Sequence, residues 1–144
     1  MKKKIVVIFS SHLTEQQNEK FINHIHSTIG VAHSVYGYSN FNQYSLSEVY
    51  NRAIDEHGEE NAIMVFCHND IHFDTKNWGK KLLAKFNHTS YEIIGVAGST
   101  LMPDTGRWWD DRNKMIGIVN HQQLSKKWAS EYSDELIAGT CLQT

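Results

Sequence analysis

Two uninterrupted apolar runs, Lys4 to Ser10 (KIVVIFS) and Ala62 to Cys67 (AIMVFC), most restrict what this chain can fold into. A strand with one face in water alternates apolar and polar residues. A continuous β-branched and aromatic run bounded by polar turns instead suits a strand buried on both faces, as in a parallel sheet covered by helices. Each run ends in a polar cluster, Ser10-Ser11-His12 after the first and His68-Asn69-Asp70 after the second.

The segments between and beyond these runs have helical signatures. Thr14 precedes Gln17 by the spacing of a capping box, Phe21, Ile22, Ile25 and Ile29 recur at helical spacing, and Gly30 is a stop. Val31 to Tyr38 reads as a second strand. Ser45 or Ser47 starts a second helix with Leu46, Val49, Tyr50, Ala53 and Ile54 on one stripe and Gly58 past its end. Beyond the Ala62 run, Asp74 or Thr75 caps a helix carrying Trp78, Leu82, Leu83 and Phe86, and Tyr91 to Ala97 (YEIIGVA) reads as a fourth strand. The order βαβαβαβ predicts an α/β fold with helices layered on a mostly parallel central sheet, because parallel neighbours need crossovers. Ligands then belong at the carboxyl ends of the strands. After Gly98 the pattern changes to a long loop over Ser99 to Asn113, a short strand at Met115 to Val119, a short helix over Leu124 to Tyr132 and a last strand over Leu136 to Leu142.

The 144 residues predict one domain, 1–144. A formal net charge of -2 gives no electrostatic footprint for nucleic acid. Neither apolar run, Ile5 to Phe9 or Ala62 to Cys67, comes near the roughly 20 residues that span a bilayer. Lys2, Lys3 and Lys4 imitate the start of a secretory signal, but Ser10, Ser11 and His12 break the apolar run behind them, which reads as mature sequence. Cys67 and Cys141 stand apart without metal-ligand spacing, so no disulfide framework is expected and the cytoplasm is the expected compartment.

Two clusters carry chemistry. His68, Asp70, His72 and Asp74 gather imidazoles and carboxylates behind a buried strand, a set suited to a divalent cation; had the strand continued, His68, Asp70 and His72 would share one face. A turn at Asn69-Asp70 is the competing expectation, and it would cancel that alignment. In Gly106 to Arg112 (GRWWDDR), Trp108 and Trp109 form either a wall for an acceptor or sugar, or caps on the core. No glycine-rich phosphate loop follows the first strand, which excludes ordinary kinases and dinucleotide folds. Cys67 beside His68 is expected to be a buried, inert thiol, because strand neighbours face opposite sides.

Three segments in register, Ser47 to Ile54 (SEVYNRAI), Val65 to Phe73 (VFCHNDIHF) with Trp78, and Gly95 to Gly98 (GVAG) with Gly106 to Trp109, resemble the family 2-like glycosyltransferases of the GT-A fold. The resemblance implies a three-layer αβα GT-A-like domain that binds a nucleoside diphosphate sugar donor and transfers the sugar to a glycan, lipid or protein acceptor. It places Mn²⁺ or Mg²⁺ on Asp70, with Ser10, Ser11, Asn40, Asn51, His68 and Asn69 around the donor. His68 stands where a strict DxD motif has its first aspartate, and Tyr50 precedes Asn51 where many members carry arginine. The family's base usually follows a strand resembling Glu135 to Leu142, and Asp110, Asp111, Asp134 and Glu135 are the carboxylates available for that role. A noncatalytic nucleotide-sugar-binding or regulatory module, and a small metal-dependent hydrolase built on His68, Asp70 and His72, are the alternatives.

Overall fold

The computed structural model describes residues 3–59, 61–107, 109–123 and 126–131. The chain falls into two compact units, Met1–His72 and Phe73–Thr144.

In the first unit, β1 (Lys4–Ser11), α1 (Glu15–Ile29), β2 (His33–Ser39), α2 (Leu46–His57) and β3 (Ala62–His68) alternate as the sequence predicts. The strands form a parallel sheet in the order β2-β1-β3. Central β1 explains its own composition: Ile5 to Phe9 are all buried, Val6 the most exposed at 2%. On one face Phe9 meets Phe21 of α1 edge to face at 5.1 Å. On the other, Val6 and Ile8 form a core with Ala53 of α2, flanked by Tyr38, Tyr50, Ala62 and Met64. Full burial of such a side chain contributes about 1.5–3 kcal/mol, so β1 anchors this unit.

Local chemistry sets the helix ends. Thr14 and Gln17 close a reciprocal capping box, and Gly30 ends α1 in the left-handed conformation at φ 72°. Ser45 rather than Ser47 caps α2, in a second box with Glu48. Register keeps the strand exits level: Ser10 lies opposite both Tyr38 and His68, and Ser11 opposite Ser39. The turns that follow all three strands therefore open on one end of the sheet.

The second unit departs from expectation in four places. α3 (Trp78–His88) is capped by Asn77, at φ 58° and without a side-chain cap bond, instead of by Asp74 or Thr75; asparagine tolerates that left-handed geometry. The fourth strand shrinks to β4 (Ala97–Ser99). Tyr91 is 62% and Ile93 91% exposed, so the apolar run ahead of β4 is not a buried strand. The strand expected over Met115 to Val119 extends to Gln123 as β5 (Met115–Gln123), following a short 3₁₀ turn at Arg112–Lys114. Part of the expected helix over Leu124 to Tyr132 is instead β6 (Lys126–Glu131), antiparallel to β5 with Val119 opposite Ser130. Cross-strand pairing overrides a weak helical period in so short a segment. β4, β5 and β6 make an antiparallel sheet that the sequence reading did not anticipate. Gly117, at φ 118°, is required there: a Cβ would stand 2.6 Å from the Val96 carbonyl oxygen. The last expected strand, Leu136 to Leu142, lies outside the described residues. Among the described residues, no helix is long and apolar enough to cross a membrane.

Candidate functional site

A cleft of about 330 Å³ opens where β1, β2 and β3 end, lined by Ser10, Ser11 and His12 after β1, Asn40, Asn42, Tyr44 and Leu46 after β2, and His68, Asn69 and Asp70 after β3. The strand stops at His68 and the chain turns at Asn69-Asp70. Of the two expectations for this segment, the turn is the one realised, and it carries Asp70 into the cleft.

A buried polar lock holds two of these turns together. The Ser11 hydroxyl donates to Asn18 Oδ1 at 3.1 Å and accepts from the Leu13 N–H at 3.0 Å and from Asn69 Nδ2 at 2.9 Å. Asn18, 3% exposed in α1, donates through Nδ2 to the Thr14 and Leu13 carbonyls. Asn69 reaches Asn18 Oδ1 at 3.5 Å with the same Nδ2. Its Oδ1 makes no hydrogen bond among the described residues. Buried polar groups are costly unless paired, so this network fixes the relation of the β1 and β3 exits.

The β2 exit is shaped differently. Asn40 closes its own loop, Oδ1 accepting from the Tyr44 N–H at 3.0 Å and Nδ2 donating to the Tyr44 carbonyl at 2.8 Å. Its backbone N–H donates to the Ser11 carbonyl at 2.8 Å, tying the loop to β1. Phe41 and Asn42 follow with φ of 48° and 59°, a left-handed geometry that asparagine tolerates and that costs Phe41 about 1–2 kcal/mol. Asn40 therefore shapes the cleft with its side chain, while Asn42 and Tyr44, the latter 57% exposed, offer their side chains to it.

Beneath the cleft, the Tyr50 hydroxyl donates to the Cys67 carbonyl at 3.1 Å and its ring lies 4.8 Å from that of Phe66, bracing the last turn of β3 from α2. Burial, with a further contribution from Cys67, pushes Tyr50 up to about 12, so the phenol stays neutral and donates. Burial pushes the Cys67 thiol up to about 12 as well, and its Sγ faces the Ile8 carbonyl at 3.7 Å, the environment of an inert thiol.

The remaining sequence candidates are placed elsewhere. Asn51 is exposed on α2 and does not line the cleft. His72 stacks on His24 at 3.9 Å between ring centroids. Among the described residues no three His, Cys, Asp or Glu side chains gather as metal ligands, so His68, Asp70 and His72 do not form the preassembled centre that the hydrolase expectation requires. In the second unit, Asp110 Oδ2 accepts from Thr105 Oγ1 at 2.6 Å and from Arg107 Nε at 3.3 Å, Asp111 caps the 3₁₀ turn through the Asn113 N–H, and Trp109 is 53% exposed. Trp108, Asp134 and Glu135 lie outside the described residues. Sequence reasoning missed Asn18, His12, Asn42, Tyr44 and Leu46. The helical spacing of α1 gives no reason to single out a polar residue, and the loop has no regular period.

The first unit is thus a layered α/β unit with a polar, aspartate-bearing cleft at the carboxyl ends of its parallel strands, the end at which open α/β sheets generally bind ligands. The family model described as "Glycosyltransferase like family" matches residues 4–141, and the chain belongs to that family. No curated protein and no solved structure matches the chain significantly.

Proposed function

We propose that the cleft binds a nucleoside diphosphate sugar together with a divalent cation, and that the protein transfers the sugar to an acceptor hydroxyl. The observation that carries this reading is the delivery of Asp70, by the β3 exit turn, into a cleft lined mostly by hydroxyl, amide, imidazole and aromatic groups, with Leu46 beside them. That donor set fits Mg²⁺ or Mn²⁺, a hard ion that takes one or two protein carboxylates and fills its other positions with phosphate oxygens and water. When bound, such an ion offsets the charge that develops on the departing diphosphate. Asp70 would hold it, Ser10 and His12 have the donors for phosphate oxygens, Asn69 Oδ1 is open to a hydroxyl or amine, and the Tyr44 ring offers a face to a flat base.

Thermal unfolding with UDP, GDP, CDP and Mn²⁺, singly and combined, tests this. A ligand at about 100 times its Kd adds roughly 2.7 kcal/mol, which raises Tm by several degrees in a protein of this size. The expected result is a shift that needs one nucleotide and the metal together and disappears in Asp70→Asn. A shift with metal alone, or none with any nucleotide, overturns the reading.

A further inference from the structure

β2 pairs with β1 on one side, and among the described residues its other side is unpaired. A groove of about 640 Å³, larger than the cleft at the strand ends, straddles that free edge. Its floor includes Phe9 and Gly37 from the face covered by α1 and Tyr36 and Tyr38 from the face covered by α2, so it wraps around the edge. Gly37 lets the Phe9 ring lie flush against the edge strand, because a Cβ there would stand 2.4 Å from it.

An exposed edge normally carries guards against pairing, such as lysine, proline, an inward charge or a bulge. The edge strand His33–Ser39 (HSVYGYS) has no lysine, arginine, carboxylate or proline. The charges stand on the walls instead. Glu15 and Glu19 of α1 line one side, are exposed and form no ion pair among the described residues. Glu56 of α2 lines the other, but it is paired with Arg52 at 2.7 Å, so the uncompensated acidic charge is that of the α1 wall. No lysine or arginine lines the groove. The Tyr36 and His57 rings stack at 3.7 Å and 6°, a flat wall suited to the aliphatic stem of a long cationic side chain. A second copy paired at this edge through a twofold axis would set Glu15 and Glu19 against their own counterparts, which disfavours self-pairing.

We propose that β2 is completed by an added strand from a partner protein, an extended segment in which lysine or arginine alternates with apolar residues. Backbone bonds to the free edge would supply affinity, and Glu15 and Glu19 on the α1 wall would supply the preference for basic side chains.

The test is fluorescence anisotropy of the full chain with a labelled ten-residue peptide alternating lysine and valine, read beside amide hydrogen exchange. The expected result is saturable binding with slowed exchange at residues 33–39. Glu15→Lys with Glu19→Lys, both on the exposed side of α1, should weaken binding about tenfold or more, roughly 1.4 kcal/mol per decade, and take up the corresponding glutamate and valine peptide. N-methylation of alternate peptide amides should abolish binding. Binding that leaves β2 exchange unchanged, binding indifferent to the charge reversal, or self-association of the chain through β2 in sedimentation would each overturn the proposal.

Discussion

Single side chains hold the cleft in shape, and Ser11 is the one on which most depends. Only 4% exposed, it answers an N–H, an amide NH₂ and an amide oxygen with one hydroxyl. Ser11→Ala deletes little volume but leaves those groups unpaired, so urea denaturation should show a loss of about 1–3 kcal/mol. Nucleotide binding should weaken with it, since Asn69 loses its tether. Gly37 makes the opposite kind of demand. The Phe9 ring fills the space of the missing Cβ and is itself held edge to face by Phe21. Gly37→Ala therefore overpacks a fully buried ring and should cost about 1–3 kcal/mol. Adding Phe9→Leu should recover part of that loss, and a double-mutant cycle would read the coupling. Cys67, whose thiol burial raises to about 12, should resist iodoacetamide at pH 8 in the native protein and react once the chain unfolds, as followed by mass spectrometry of its peptide.

At the scale of the element, the start of α1 was legible because capping is local chemistry, and the spacing of Thr14 with Gln17 named it. The structure chose Ser45 over Ser47 for α2, and α3 starts at Asn77 without a side-chain cap bond, a start that the capping signal at Asp74 or Thr75 misplaced. The doubly buried β1 and the end of β3 at Asn69-Asp70 were legible for the same reason, as composition and turn residues act over a few positions. Tyr91 to Ala97 shows the limit. An apolar run signals a strand only if a neighbour accepts it, and pairing partners are distant in sequence. The site was legible in its strand-end motifs and hidden wherever a side chain acts through a fold contact, as Asn18 does across 51 positions to Asn69. The α2 box also sets a pH response. Hydrogen bonds from Ser45 lower the Glu48 carboxyl, and the side chains of Arg52 and Tyr38 lower that of Glu56. Both folded pKa values lie below their unfolded values, so the unfolded chain binds more protons in the window between them. The stabilisation is present above the ordinary glutamate value of 4.5 and is lost as pH falls through the depressed folded values. Urea midpoints should decline below about pH 4.5, and Glu48→Gln should flatten part of that slope.

At the scale of the whole molecule, the two compact units divide the reporters as well as the residues. Every group lining the strand-end cleft falls within the first unit, while all four tryptophans, at 78, 108, 109 and 128, fall in the second. If the donor site is the one at the ends of β1, β2 and β3, nucleotide with Mn²⁺ should slow amide exchange most in the turns at residues 11–13, 40–45 and 69–71, because these move in local openings that a bound diphosphate suppresses. The backbone bonds Asn40 to Ser11 and Gln43 to Asn40 are the amides to follow in the β2 exit. Exchange across β5 and β6 should stay as it was. The comparison also separates binding from global stabilisation, since a general rise in stability would slow exchange in both units alike. Protection confined to the second unit would place the donor site among residues 73–144 and leave the cleft, Asp70 included, without its ligand.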